Sequence, residues 1–124
     1  MRINKLQDAV DHFKAELGEA LLSANVWEKE SGLSLVTYNP NEKYTAIFSR
    51  LTNELENALD DLGLPPFGEY QITDLQMDTL LLLISLDGKY YCGNIIDKSK
   101  VTLGFLINVS IPNFQKEMKA ALKS

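Results

Sequence analysis

Metal-ligating and disulfide-forming residues are scarce in this chain of 124 residues, which contains one cysteine, Cys92, and one histidine, His12. A single thiol cannot form an internal disulfide, and one cysteine with one histidine cannot provide the ligands of a Cys/His metal site. These counts exclude a disulfide-stabilised secreted scaffold and a zinc finger. They are typical of a protein from a reducing compartment, and we expect His12 to have no role as a ligand or base.

Clustered positive charge and long apolar segments are also missing. The formal net charge is −5 and the isoelectric point is near 4.8, whereas binding to a phosphate backbone requires clustered lysine and arginine. The longest apolar stretch is seven residues, Leu80 to Leu86, and the first residues carry charges instead of the apolar segment of a secretion signal. We therefore expect no nucleic-acid partner, no membrane association and a cytoplasmic location.

Recognisable catalytic motifs are absent as well: there is no phosphate-binding loop, no nucleophile elbow and no zinc-protease motif. A group of four acids between residues 54 and 61 is better interpreted as surface charge on a helix than as a carboxylate site. Arg50 is better interpreted as a solvated or dimer-facing residue than as an arginine finger. We predict that the chain is not an enzyme and has no catalytic, metal or cofactor-binding residues.

The composition that remains is that of one globular domain spanning residues 1–124, with 45% hydrophobic and 23% charged residues. The apolar run Leu80 to Leu86 predicts a strand covered on both faces at the centre of the fold. Asp87-Gly88 after it predicts a type I′ turn, because both residues tolerate positive φ angles. Residues 89–96 should then return as the hairpin partner, with Gly93 at a bulge or a close contact.

Two amphipathic helices are indicated in the first half of the chain. Apolar residues recur every three or four positions from Asn4 to Ala24. A second helix should begin with Asn39 as N-cap, Pro40 at the first helical position and Glu42 in a capping box, and it should end at Gly63. One face of that helix is apolar and predicted to pack: Tyr44, Ile47, Phe48, Leu51, Leu55, Ala58, Leu59 and Leu62.

The flank of the second helix is basic at its start and acidic at its end, in the order Lys43, Arg50, Glu54 and Asp61. Two such helices laid antiparallel would bring opposite charges together, although ordinary solvated charge is the alternative interpretation. The segment from Glu69 to Met77 mixes apolar with polar residues, as a strand at a sheet edge does. Such an edge is either protected or used for pairing with another chain.

Two segments are harder to assign from their composition. Residues 26–38 predict a short hairpin around Ser31-Gly32, which must join a larger sheet. The segment Ser99 to Val109 has strand-like content and also helical spacings, and propensity favours a strand by a small margin. A terminal helix follows Ile111-Pro112.

The element order, together with two stretches, resembles the roadblock/light-chain-seven family, and in particular its small bacterial members. The stretches are residues 31–38, similar to the family's D-G-L-x-I-A-S hairpin, and residues 97–106, similar to its D-K-x-x-N-L-G-L segment. The resemblance implies an α+β fold in the order α-β-β-α-β-β-β-α. In it the second helix covers one face of a five-stranded antiparallel sheet, and the first and last helices cover the other. It also implies a helix from Ser99.

The resemblance further implies a homodimer joined through the third strand and the second helix. In this chain the expected interface residues are Lys43, Ile47, Arg50, Glu54, Asp61, Tyr70, Gln71, Ile72, Thr73, Asp74 and Leu75. Family members resemble regulators and scaffolds of small Ras-like GTPases, so the expected partners are a second copy and such a GTPase. The alternative is a small-molecule-sensing domain without catalysis, with Trp27, Tyr90 and Tyr91 lining the ligand pocket.

Overall fold

The computed structural model describes residues 1–124 and contains five strands and four α-helices in the expected order. The helix before the last is a single turn, continued by a π-helical segment, Leu106–Ser110, into the final helix. The bounds are α1 Ile3–Leu17, β1 Leu21–Glu28, β2 Ser34–Tyr38, α2 Glu42–Asp61, β3 Tyr70–Leu75, β4 Thr79–Leu86, β5 Tyr90–Asp97, α3 Leu103–Phe105 and α4 Ile111–Lys123.

The strands form one antiparallel sheet in the order β2-β1-β5-β4-β3. The β1–β2 hairpin joins the larger sheet through β5, as predicted, and β3 is an edge strand, as predicted. The apolar run Leu80 to Leu86 lies in β4, between β3 and β5. The expected place of this run, beside the edge strand and the last strand of the chain, is confirmed, and β5 is the middle strand of the sheet because its other side pairs with β1.

Strand β4 is buried on both faces, which explains its continuous apolar sequence. Leu82 and Ile84 have no exposed surface on one face, and Leu83 is 7% exposed on the other. The turn after β4 has positive φ at both Asp87 (54°) and Gly88 (68°), and the amide of Lys89 donates to the carbonyl of Leu86. The predicted type I′ turn is confirmed. The loop between the strands is one residue longer than predicted, because Lys89 also lies outside the strands.

The two faces of the sheet have cores of different size. Helices α1 and α4 cover one face, where 21 buried residues form the main hydrophobic core. Helix α2 lies on the other face, over a cluster of only four buried residues: Trp27, Phe48, Leu83 and Tyr91. The helices thus sandwich the sheet as expected, but α2 is held by far fewer apolar contacts.

The first helix ends earlier than predicted, at Leu17 instead of Ala24. Gly18 has a φ angle of 58°, and its amide donates to the carbonyl of Lys14, so the chain leaves the helix there. Leu21 and Ala24 are buried, as the periodicity required, but they belong to β1. Burial alone does not distinguish the end of a helix from the strand that follows it closely.

The start of α2 also differs from the prediction. The N-cap is Asn41, whose side chain accepts a hydrogen bond from the amide of Lys43 at 3.0 Å. Asn39 instead has a φ angle of 46° and donates its side-chain amide to the carbonyl of Leu22, so Pro40 lies before the helix and no capping box forms. Asn39 and Asn41, on either side of Pro40, could each cap the helix. The side chain of Asn39 is bonded to β1 instead, so Asn41 is the N-cap.

The predicted end of α2 at Gly63 is confirmed. Gly63 has a φ angle of 69°, its amide donates to the carbonyl of Asp60, and the amide of Leu64 donates to the carbonyl of Leu59. These two bonds form a Schellman motif, which satisfies carbonyls that have no partner within the helix.

The ambiguous segment is helical, as the resemblance implied, and the propensity-based preference for a strand is wrong. After a 3₁₀ turn at Lys98–Lys100, the side chain of Thr102 caps α3 by accepting from the amide of Phe105 at 3.2 Å. Leu106 and Ile111 are fully buried against the main core. The tertiary contacts of these two residues outweigh the strand propensity of the segment.

Gly93 is a close contact and not a bulge. A Cβ atom at this position would lie 2.9 Å from Cδ2 of Phe48 and 2.9 Å from Cζ3 of Trp27. The absence of a side chain at the centre of β5 therefore lets Phe48 of α2 and Trp27 of β1 approach the sheet.

We predict that Gly93→Ala destabilises the protein by about 1–3 kcal/mol, because the added methyl group overpacks the contact with Phe48 and Trp27. Urea unfolding followed by tryptophan fluorescence measures the change. Gly104→Ala is the matched control, since nothing lies within 4 Å of its Cβ position and the residue is helical. Equal stability of both variants and the wild type would contradict the proposed contact.

Candidate functional site

Helix α2 rests on the sheet through one narrow row of side chains. Phe48 and Thr52 are its only buried residues. Phe48 packs on Trp27 with ring centroids 6.3 Å apart, and Thr45 accepts a hydrogen bond from Asn25 of β1 at 2.6 Å. This row fixes the helix but leaves most of its apolar surface uncovered.

A polar cluster anchors α2 farther along the same row. The hydroxyl of Tyr91 donates to Glu56, and the ammonium group of Lys29 lies 3.1 Å from the Glu56 carboxylate and 5.7 Å from the Tyr91 ring centroid. Burial, and secondarily the hydrogen bond to the Glu56 carboxylate, raises the pKa of Tyr91 far above its ordinary value. Tyr91 therefore stays protonated and keeps donating.

The face of α2 that the sequence predicted to pack is largely exposed in the single chain. Ile47 is 52% exposed and Leu51 is 48% exposed, whereas only Phe48 of that stripe is buried. The apolar pattern is present, but the chain itself does not cover it. A surface of this kind marks an interaction site more often than a monomer surface.

The uncovered side of α2 borders a groove above β3 and β4. Its larger part has a volume of about 460 Å³, and a smaller part of about 240 Å³ continues towards the start of the helix. Sequence reasoning missed Leu81 and Leu83 on the groove floor, because a run that is apolar at every position does not show which residues face a gap. Between them, the two parts are lined mainly by Tyr44, Ile47, Leu51, Leu55, Gln71, Thr73, Leu75, Leu81 and Leu83.

Strand β3 is open along its outer edge. The amide of Ser85 donates to the carbonyl of Glu69, and in an antiparallel ladder the bonded pairs alternate with non-bonded pairs. The main-chain groups of Tyr70, Ile72 and Asp74 therefore point away from β4. The outer edge of this six-residue strand provides the donors and acceptors that a second strand would need.

The opposite edge of the sheet is protected. Strand β2 has only five residues, and the side-chain amide of Gln7 in α1 donates to the carbonyl of Thr37 at 3.1 Å. A short, side-chain-capped edge is a common way to prevent pairing with another chain. Of the two edges, β3 is the one available for a partner.

The predicted charged residues of α2 share one exposed face. Lys43 and Asp61 each lie nine residues from Thr52, and Arg50 and Glu54 each lie two residues from it. Within this chain Arg50 already pairs with Glu54 at 3.2 Å. Lys43 and Asp61 form no ion pair, so these two are the charges left for another molecule.

The other expected site residues do not come together. Trp27 and Tyr91 pack under α2, whereas Tyr90 packs against the main core on the opposite face, so the three do not line one pocket. His12 lies 2.6 Å from Glu117, and this contact connects α1 to α4.

No group of three His, Cys, Asp or Glu side chains is placed to hold a metal ion. None of the helices has the length and apolar character to cross a bilayer.

We predict that Tyr91→Phe lowers the free energy of unfolding by about 1.5–3 kcal/mol at pH 7, because it removes the bond to the Glu56 carboxylate. The raised pKa of Tyr91 means that the folded state binds its proton more tightly than the unfolded state. The wild-type advantage is thus present below about pH 10 and decreases above it. Urea unfolding at pH 7 and pH 10.5 measures both effects.

Tyr38→Phe is the matched control for this experiment, since Tyr38 is half-buried in β2 and packs against the main core on the opposite face of the sheet. An equal loss in both variants would show that the Tyr91–Glu56 bond does not anchor α2.

The architecture is shared with solved structures of low sequence identity. MglB of Myxococcus xanthus superposes with a TM-score of 0.78 over 98% of this chain and 90% of that chain, at 13% identity. The gliding protein MglB of Thermus thermophilus gives 0.68 over 94% and 92%, at 10% identity. A roadblock/LC7 domain of Streptomyces avermitilis gives 0.70 over 90% and 94%, at 13% identity.

No protein-family model matches the sequence, and no curated protein matches it. At 10–13% identity the structural similarity establishes the fold alone. The chain therefore has the roadblock/LC7 fold, and the resemblance found in its sequence is confirmed at that level.

Proposed function

We propose that this chain is a cytoplasmic, homodimeric regulatory module that binds a small Ras-like GTPase and modulates its nucleotide cycle or its location. The observation that carries the proposal is the open apolar groove between α2 and β3, beside an unpaired strand edge. A second copy offers the two elements that this surface lacks, an apolar helix side and a strand.

A single two-fold axis would relate both the α2 helices and the β3 strands of two copies. The charges of α2 are arranged symmetrically about Thr52, so an antiparallel second helix would place its Asp61 near Lys43 and its Lys43 near Asp61. The groove is lined by Thr52 on the helix and by Gln71 and Thr73 on β3, so Thr52 lies at the level of the middle of β3. Two β3 edges centred near Ile72 would therefore pair about the same axis.

Burial favours this association. Tyr44, Ile47 and Leu51 are each more than 40% exposed, and Leu75 is 40% exposed at the end of the adjacent strand. Covering apolar surface on both copies contributes roughly 25 cal/mol for each Å² removed from water. Pairing of the two β3 edges adds main-chain hydrogen bonds and extends the sheet across the dimer.

The GTPase is the partner that the roadblock resemblance implies, and the fold now supports that resemblance. Nothing in the chain's own chemistry suggests a reaction of its own, and Arg50 is bound to Glu54 in its own helix. We infer that the module acts through binding. Its two α2 helices, brought side by side in the dimer, would form one continuous surface for the GTPase.

We predict that the chain has roughly twice its mass of 13.9 kDa in light scattering at micromolar concentration. Lys43→Glu replaces two attractive contacts per dimer by repulsive ones and should weaken the dimer about tenfold, since an exposed ion pair contributes about 0.2–1 kcal/mol. Adding Asp61→Lys to the same chain restores opposite charges and should recover the affinity. Sedimentation equilibrium measures both changes.

Lys5→Glu is the matched control, because Lys5 is exposed on α1, which lies on the opposite face of the sheet from α2 and packs beside β2. A monomeric wild type, or a double variant that is weaker than Lys43→Glu, would contradict the antiparallel arrangement of the two helices.

The GTPase itself is tested by titration calorimetry with a purified Ras-like GTPase from the same cell, loaded with GTP or with GDP. We expect binding that differs between the two nucleotide states, because a regulator must distinguish them to change their balance. An unrelated P-loop ATPase is the specificity control. Absence of binding in both states would exclude the GTPase function and would leave the dimer unaffected.

A further inference from the structure

The turn between β3 and β4 holds Met77 in an unusual conformation. Met77 is 93% exposed, more than any other large hydrophobic residue of the chain. Both Met77 and Asp78 have positive φ angles, 60° and 54°, in a type of turn that usually contains Asn and Gly. An apolar side chain is unfavourable in water, and a positive φ angle is unfavourable for methionine. A residue that is unfavourable in both respects indicates a functional constraint.

The turn is fixed in position. The amide of Lys98 donates to the carbonyl of Asp78 at 2.7 Å, and the hydroxyl of Thr79 donates to the carbonyl of Met77 at 3.1 Å. The side chain of Lys98 also pairs with Asp74 of β3 at 2.8 Å. Met77 is therefore held at one end of the open β3 edge.

A second exposed apolar surface lies at the other end of the same strand. The α2–β3 loop, residues 62–68, contains Leu62 at 73% exposure and Leu64 at 52% exposure. It continues through exposed Pro65 and Pro66 to half-buried Phe67. The two consecutive prolines restrict the backbone, so this apolar surface is preorganised.

Antiparallel pairing of two β3 strands brings these two surfaces together. With Ile72 on the two-fold axis, Leu75 at the end of β3 lies opposite Glu69 of the other copy, so the turn that holds Met77 lies beside the end of the other copy's α2–β3 loop. If the axis is displaced by one residue in either direction, Leu75 lies opposite residue 67 or 71. We propose that Met77 of each copy packs on the α2–β3 loop of the other, against Leu64 and Phe67, and fixes the register of the paired strands.

This inference rests on the proposed dimer and adds its specificity determinant. The β3 edge mixes polar and apolar residues, and such an edge specifies its register only weakly. A contact at each end of the strand supplies the missing selectivity, because displacing the axis by one residue shifts each methionine by two residues along the other copy and changes the side chains on which it packs. Methionine suits this role, since its flexible side chain adapts to an irregular apolar surface.

The closing experiment replaces Met77 by the photo-cross-linker p-benzoylphenylalanine in the full chain and mixes it with isotope-labelled wild type. We expect cross-links from position 77 of one copy to residues 64–67 of the other, identified by mass spectrometry. The matched control carries the same group at Leu33, which is 64% exposed in the β1–β2 turn. It should give no such cross-links.

Two substitutions test the contact without a cross-linker. Met77→Asn suits the positive φ angle, so the thermal stability of the subunit should be kept, whereas the dimer dissociation constant should increase at least tenfold. Leu64→Ser should weaken the dimer similarly, and the double variant should be little weaker than either single one.

The outcomes separate this proposal from the function on which it rests. A monomeric wild type in sedimentation overturns both the dimer and the Met77 contact. A dimer with cross-links elsewhere, or with affinity unchanged by Met77→Asn, overturns the contact alone. Cross-links from position 77 that form only to an added GTPase also overturn it, because they would assign Met77 to another partner.

Discussion

The close approach at Gly93 is the constraint on which the α2 face of the molecule depends. Because β5 has no side chain at its centre, Trp27 and Phe48 meet over the sheet, within 2.9 Å of where a Cβ would lie. Helix α2 contacts the sheet at this point. Hydrogen bonds on either side, from Asn25 to Thr45 and from Tyr91 to Glu56, hold the helix in place. A helix held along one narrow row leaves its neighbouring apolar stripe free, and that stripe forms one wall of the groove.

The two sheet edges show how the same architecture can permit one partner and prevent others. Strand β2 is short and its Thr37 carbonyl is capped by Gln7, whereas Tyr70, Ile72 and Asp74 of β3 direct free main-chain groups outward. The open edge lies beside the uncovered side of α2. A partner that offers both a strand and a helix can satisfy hydrogen bonding and apolar burial at once, whereas a partner that offers only one cannot.

Much of the fold was predictable wherever local chemistry and burial agree. The run Leu80 to Leu86, the turn at Asp87-Gly88 and the end of α2 at Gly63 follow from apolar continuity and from positive φ angles. The end of α1, the cap at Asn41 and the helix after Ser99 did not follow. In each of these, two local solutions bury the same residues, and a long-range contact, such as Asn39 to Leu22 or Leu106 to the core, selects one.

The candidate site was predicted in part, and the missing part has one physical cause. The sequence indicated the charge row of α2, the edge character of β3 and Ile47 as an interface residue, but it gave the apolar stripe that includes Leu51 only as a packing face. Amphipathic periodicity reports that a stripe is buried in the functional state, not which molecule buries it. In this chain β3 and β4 form the floor of the groove beside that stripe, and Ile47 and Leu51 stay about half exposed. An apolar pattern that the chain itself leaves exposed indicates a surface for a partner, and this surface is the basis of the proposed dimer.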